Sequence, residues 1–248
     1  HFAYANYGID TDEMDQFEVC PDSGYVQKEG TREAWERLYN LSKNAANADT
    51  YEEIGKLLDI NEFINYLAVE FYIGNWDWPQ NNVKAFRDQN DGKFRFVIFD
   101  LDGALNTTSG ISTFMGKQNY TFDKLYGYDY STSTSLTDKR LTKEIELVTI
   151  VKNLLNNAVF KKQLVDAMCI MGGSIYTPER VQSIVDEMAA YLSQGGYIDP
   201  SGTANTIKAT LNKSWNSNVM DHIKSQSLTS AAKQQATFGS NIEGASIT

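Results

Sequence analysis

Two short stretches of this sequence hold acids and amides at spacings that could bind a cation. The first is Gly74-Asn75-Trp76-Asp77-Trp78-Pro79-Gln80-Asn81-Asn82, and the second is Phe99-Asp100-Leu101-Asp102-Gly103. Between them, Val83-Lys84-Ala85-Phe86-Arg87 alternates, Phe94 to Phe99 alternates and then becomes wholly apolar, and Asn90-Asp91-Gly92 is a tight-turn signal. That pattern predicts a β-hairpin. A hairpin brings its open ends together, so Asp77 and Asn82 are expected near Asp100 and Asp102, although Asp77 and Asp100 are 23 positions apart (100 minus 77). Clustered carboxylates with an amide oxygen form a hard-oxygen site of the kind magnesium takes, held by one or two carboxylates and the phosphates of a substrate. Without a cation, such like charges would repel.

The surrounding elements are predicted to be helical. Thr31 is expected to cap a helix carrying Ala34, Trp35, Leu38, Tyr39 and Leu41, and Thr50 with Glu53 reads as a capping box ahead of Ile54, Leu57 and Leu58. Asp59 or Asn61 caps the next helix, apolar nearly all round through Phe63, Ile64, Leu67, Val69 and Phe71, which makes it central to a core and ends it near Gly74. Four more helices are expected, at about 138–155, 158–171, 177–193 and 204–225, with Pro178 in a first turn after Thr177. The first thirty residues read as irregular, with Asp10, Asp12, Glu13 and Asp15 in a solvated acidic loop, and residues 103–137 as a long loop rich in Thr, Ser, Gly and Tyr.

The spacing within the acid stretches is informative. Protein kinases use a catalytic loop in which Asp is followed, after four residues, by Asn, then a short hairpin, then a metal-binding Asp. Asp77, Asn82 and Asp100 follow that order. The stretches Asn75 to Asn82, Gly92-Lys93-Phe94-Arg95-Phe96 and Phe99-Asp100-Leu101-Asp102 further resemble the bacterial CotH family, named for spore coat protein H. The likeness covers about 60–105 and continues more loosely through Asn157-Ala158-Val159-Phe160-Lys161.

The resemblance implies an α+β domain like a protein-kinase C-lobe, a mostly helical body with an embedded β-hairpin carrying a metal site. It implies transfer of phosphate from ATP to protein Ser or Thr, with Mg2+ or Mn2+. Asp77 would accept the hydroxyl proton or hold metal, Asn82 would give an amide oxygen, and Asp100 would bind the cation bridging the ATP phosphates. Asp102 would be a second carboxylate at the cofactor. Trp76, Trp78 and Pro79 read as packing residues that stiffen the loop. The resemblance also implies a bacterial secreted or cell-surface protein with a nucleotide and a hydroxyl-bearing protein as partners.

One departure is the kinase small lobe with its phosphate-contacting Lys and Glu partner, for which residues 1–58 show no Gly-rich strand followed by a Lys-bearing one. Those residues are therefore read as loop and helices following a missing N-lobe, 59–228 as the catalytic domain and 229–248 as a polar extension. The start at His1, without Met, a basic stretch or an apolar stretch, reads as that of a processed or trimmed piece.

Composition narrows the field. A net charge of −10 over 248 residues argues against nucleic acid, whose phosphates need clustered Lys and Arg. No apolar run is long enough to span a bilayer. Cys20 and Cys169 are too far apart for a zinc site and read as unpaired thiols, Cys169 buried in a helix. His1 and His222 are the sole histidines, which weighs against a Ser-His-Asp hydrolase.

Two other readings compete. Val97 to Leu105 resembles the first motif of haloacid-dehalogenase-type phosphatases, but long helices follow where that fold needs alternating strands and helices. A non-catalytic surface domain on a degenerate kinase-like fold, binding carbohydrate or metal, would use the acidic loops and Tyr120, Tyr126, Tyr128 and Tyr130.

Overall fold

A computed structural model describes residues 2–20, 24–75, 78–79, 81–105, 145–196, 199–211, 219–221, 223–224 and 227–230. The loop tyrosines, most of the loop at 103–137 and Asp77 lie outside the described residues. The chain forms an α+β fold in which helices pack on one face of a small antiparallel sheet.

Helix α1 (Phe2–Tyr7) leads into strands β1 (Met14–Cys20) and β2 (Gly24–Glu29). Helices α2 (Glu33–Ser42), α3 (Ala48–Leu57) and α4 (Ile60–Ile73) follow, then β3 (Val83–Asp88) and β4 (Phe94–Val97). The later helices are α5 (Glu146–Leu154), α6 (Ala158–Ile170), α7 (Pro178–Gln194) and α8 (Ser201–Thr210), with a π-helical turn at Met171–Ile175.

The hairpin expected from the sequence is β3 and β4, paired from Lys84–Val97 to Arg87–Phe94. The sheet order β2-β1-β3-β4 corrects the reading of the first thirty residues as irregular. Strand alternation explains the order. Asp15, Phe17 and Val19 of β1 stand opposite Arg87, Ala85 and Val83 of β3, and Ala85 and Arg87 in turn stand opposite Phe96 and Phe94 of β4. The apolar members of this inner face pack on Trp35, Leu38, Phe63 and Leu67. Met14, Phe86 and Val97 share the outer face, partly covered by Ala3 of α1 and by Ile9.

Asp15 is therefore not in a solvated loop. It is 2% exposed on the inner face, where it meets Arg87 at 2.5 Å and accepts from the Thr31 N–H and Gln89 Nε2, each at 2.9 Å. A Cβ at Gly30, whose φ is 65°, would overlap the Asp15 carboxylate. Gly30→Val is expected to destabilise the protein by about 2 kcal/mol or more, since both the left-handed backbone and the overlap oppose it. A denaturation midpoint unchanged from wild type would contradict this.

The helix signals hold at α4 and α7. Asp59 Oδ1 accepts the Glu62 N–H at 3.2 Å, Gly74 closes α4 with φ 64°, and Thr177 caps α7 ahead of Pro178. Two others shift. Thr31 gives its N–H to Asp15, and Arg32 occupies the N-cap of α2 without a side-chain cap. Helix α3 starts earlier than the capping box implied, because Asn47 accepts the Thr50 N–H at 2.9 Å. Cys169 lies in α6 as expected but is exposed rather than buried. Among the described residues no helix is long and apolar enough to cross a membrane.

Helix α4 carries the core. Phe63, Ile64, Leu67 and Phe71 are each at most 4% exposed, and full burial of such side chains contributes about 1.5–3 kcal/mol apiece. Both ends of α4 are tied to the second hairpin. At its start, Leu58 bridges Phe94 and the Asp59 N–H donates to the Phe94 carbonyl at 3.0 Å. At its end, the Leu105 N–H donates to the Ile73 carbonyl at 2.9 Å, which draws the segment after Asp102 onto the last turn.

Candidate active site

The open end of the β3–β4 hairpin brings Asn82 to Asp100. Asn82 Nδ2 donates to the Asp100 backbone carbonyl at 3.4 Å. Both residues are left-handed, each with φ 54°, a conformation that Asn and Asp tolerate better than other non-glycine residues. Strained backbone of this kind gathers at functional sites and costs about 1–3 kcal/mol per residue. Asn82 is 5% exposed, whereas the Asp100 side chain is exposed to solvent. Asp102 is likewise exposed, in a short 3-10 turn over Leu101–Gly103 that begins at Asp100. Of the four acids and amides singled out in the sequence, the described structure thus brings Asn82 and Asp100 into contact and sets Asp102 in the adjoining turn. Asp77 lies outside the described residues.

Asn75 and Trp78, ahead of β3, contact α4 through buried groups. Trp78 is fully buried, donates its indole N–H to the Tyr66 hydroxyl at 2.7 Å, and packs edge-on against Phe71 with ring centroids 5.5 Å apart. This agrees with its reading as a stiffening residue. Burial, and secondarily the negative charge of Glu70, holds the Tyr66 phenol well above its ordinary pKa, so Tyr66 stays neutral.

Sequence reasoning missed two features. Glu70, on the α4 face read as apolar, is fully buried and accepts from Asn75 Nδ2 at 2.9 Å; one acid in so apolar a helix was the available signal. The other is Lys84, which lies over the Phe99 ring at 4.3 Å and pairs with Glu18 of β1 at 3.4 Å. Nothing local to either residue marks that pair, because the register of β1 on β3 creates it.

The donor chemistry fits a hard divalent cation. Asp100 and Asp102 offer carboxylates and Asn82 an amide oxygen, with no thiolate or imidazole among them. Among the described residues no group of three or more His, Cys, Asp and Glu side chains converges. On the outer face of the sheet, a groove of about 310 Å³ is lined by Phe2, Met14, Lys84, Phe86, Val97 and Phe99, among others.

The described structure is thus an α+β domain in which an amide side chain, Asn82, meets the backbone of Asp100 at the open end of the β3–β4 hairpin. The family model described as CotH kinase protein matches residues 4–226, and the chain belongs to that family. No curated protein matches the chain.

Proposed function

We propose that this protein transfers the γ-phosphate of ATP to a Ser or Thr hydroxyl of a protein substrate, with Mg2+ or Mn2+ held at the hairpin end. The observation that carries the reading is the pairing of Asn82 with Asp100, both left-handed, at the open end of β3 and β4. Family membership supports it.

In this reading Asp100 supplies the main carboxylate to the cation, Asn82 an amide oxygen and Asp102 a further carboxylate. When bound there, a divalent cation would supply charge neutralisation at the phosphates of ATP. Asp77 takes the proton of the substrate hydroxyl as its oxygen bonds to the γ-phosphorus and the bond to the ADP oxygen breaks. The aromatic walls of the outer-face groove suit a flat base, and Lys84 at its edge suits a phosphate. Residence at a bacterial surface or outside the cell belongs to the same proposal and rests on the family alone.

Calorimetric titration with Mn2+ and ATP together, for the wild type and Asp100→Asn, tests the proposal. Saturable binding by the wild type, lost in the variant, is expected. Equal binding by both, or none by the wild type, would overturn it. Lys84→Met is expected to weaken ATP about tenfold, as loss of one charge-assisted contact does, while leaving Mn2+ binding without nucleotide unchanged. An unaltered ATP isotherm would remove Lys84 from the phosphate site.

A further inference from the structure

The last turn of α4 carries a carboxylate where packing alone would favour a hydrocarbon. Glu70 is fully buried between Val69 and Phe71 in sequence, and a carboxylate costs several kcal/mol to bury unless hydrogen bonds compensate. Its Oε2 accepts from Asn75 Nδ2 at 2.9 Å. Its backbone carbonyl also accepts the N–H of Gly74 and that of Asn75, the latter at 3.3 Å. Asn75 is fully buried as well.

One turn earlier on the same helix face, Tyr66 receives the Trp78 indole N–H at 2.7 Å. Two side chains of α4, four positions apart, thus grip Asn75 and Trp78, and these bracket positions 76 and 77 in the sequence. At the far end of the same loop, Asn82 is tied to the Asp100 carbonyl. Asn75, Trp78 and Asn82 are thus each held by a polar contact, the first two to α4 and the third to the residue that opens the turn after β4.

We propose that Glu70, acting through Asn75, is a positioning residue for the described residues ahead of β3, and so for Asn82 at its contact with Asp100. Its effect on rate rests on the phosphotransferase reading; its effect on loop geometry does not. A hydrocarbon of equal size would fill the space but take away the carboxylate to which Asn75 donates. Orientation errors of about 1 Å cost phosphoryl transfer on the order of 100-fold.

Three variants separate positioning from packing. Glu70→Met keeps the volume and removes the acceptor. Glu70→Gln keeps an acceptor oxygen. The double variant Glu70→Gln/Asn75→Asp reverses donor and acceptor and so restores the pair. In a phosphotransfer assay, Glu70→Met is expected to lose about 100-fold in kcat with KM for ATP little changed. Glu70→Gln and the double variant are expected to recover at least tenfold of that loss. If the double variant does not fold, the comparison of Met with Gln stands by itself. The independent readout is two-dimensional NMR of the Trp78 indole and Asn82 side-chain amide resonances. Both are expected to move in Glu70→Met and to return in Glu70→Gln, whether or not the wild type is active. Unmoved resonances in Glu70→Met or, where the wild type is active, Met and Gln variants of equal rate would overturn the proposal.

Discussion

Asp100→Asn is expected to lower the rate of phosphoryl transfer by at least about 100-fold and to leave the thermal midpoint within about 2 °C of wild type. On the proposed function, the loss follows from removing a carboxylate that holds the cation, and single groups in electrostatic catalysis are worth about 100- to 1,000-fold. The unchanged stability follows from position. Asp100 is exposed, its side chain does not cap the short turn that follows it, and its left-handed backbone suits Asn as well as Asp. A rate within threefold of wild type would exclude Asp100 from the chemistry. A large fall in midpoint would show that its carboxylate serves the fold instead.

The opposite signature is expected at Asp15. Asp15→Ala leaves Arg87 on the inner face of the sheet without its carboxylate, and the Thr31 N–H and Gln89 amide without their acceptor. Breaking a buried ion pair from one side costs about 3–5 kcal/mol. Arg87 keeps one bond, to the Gly92 carbonyl at 3.0 Å, so a value near the lower end is expected. For a chain of this size that corresponds to a midpoint lower by roughly 6–12 °C. Denaturant unfolding of the purified variant measures it directly, and a loss below about 1 kcal/mol would mean that the pair is far better solvated than its burial indicates.

Asp15 also shows why the first hairpin was not legible in the sequence. Its strand does alternate, with Asp15, Phe17 and Val19 on one side, but the first inward position is an acid. That acid is acceptable only because Arg87, 72 positions later, stands opposite it. No local reading of β1 contains that information. A register shift between Gln16 and Phe17 on the β2 side obscures the partner strand as well.

The second hairpin was legible because its turn, its alternation and its apolar end are all contiguous. The same holds for α4, where Asp59 and Gly74 mark both ends. Sequence spacing anticipated the contact of Asn82 with Asp100 because hairpin closure alone brings them together. Glu70 escaped because its value depends on where the chain turns after Gly74, and Lys84 because Glu18 comes from a strand that went unseen.

The paired left-handed residues at the hairpin end carry a consequence for mutational tolerance. At position 82 and position 100 the backbone admits glycine, asparagine and aspartate readily and disfavours β-branched side chains. On the proposed function, shape and chemistry place separate filters on the same two codons. In a library of variants sorted only for folding, glycine should survive at both positions; in one sorted for phosphoryl transfer it should vanish. The difference between the two surviving populations would separate what these positions owe to the turn from what they owe to the reaction.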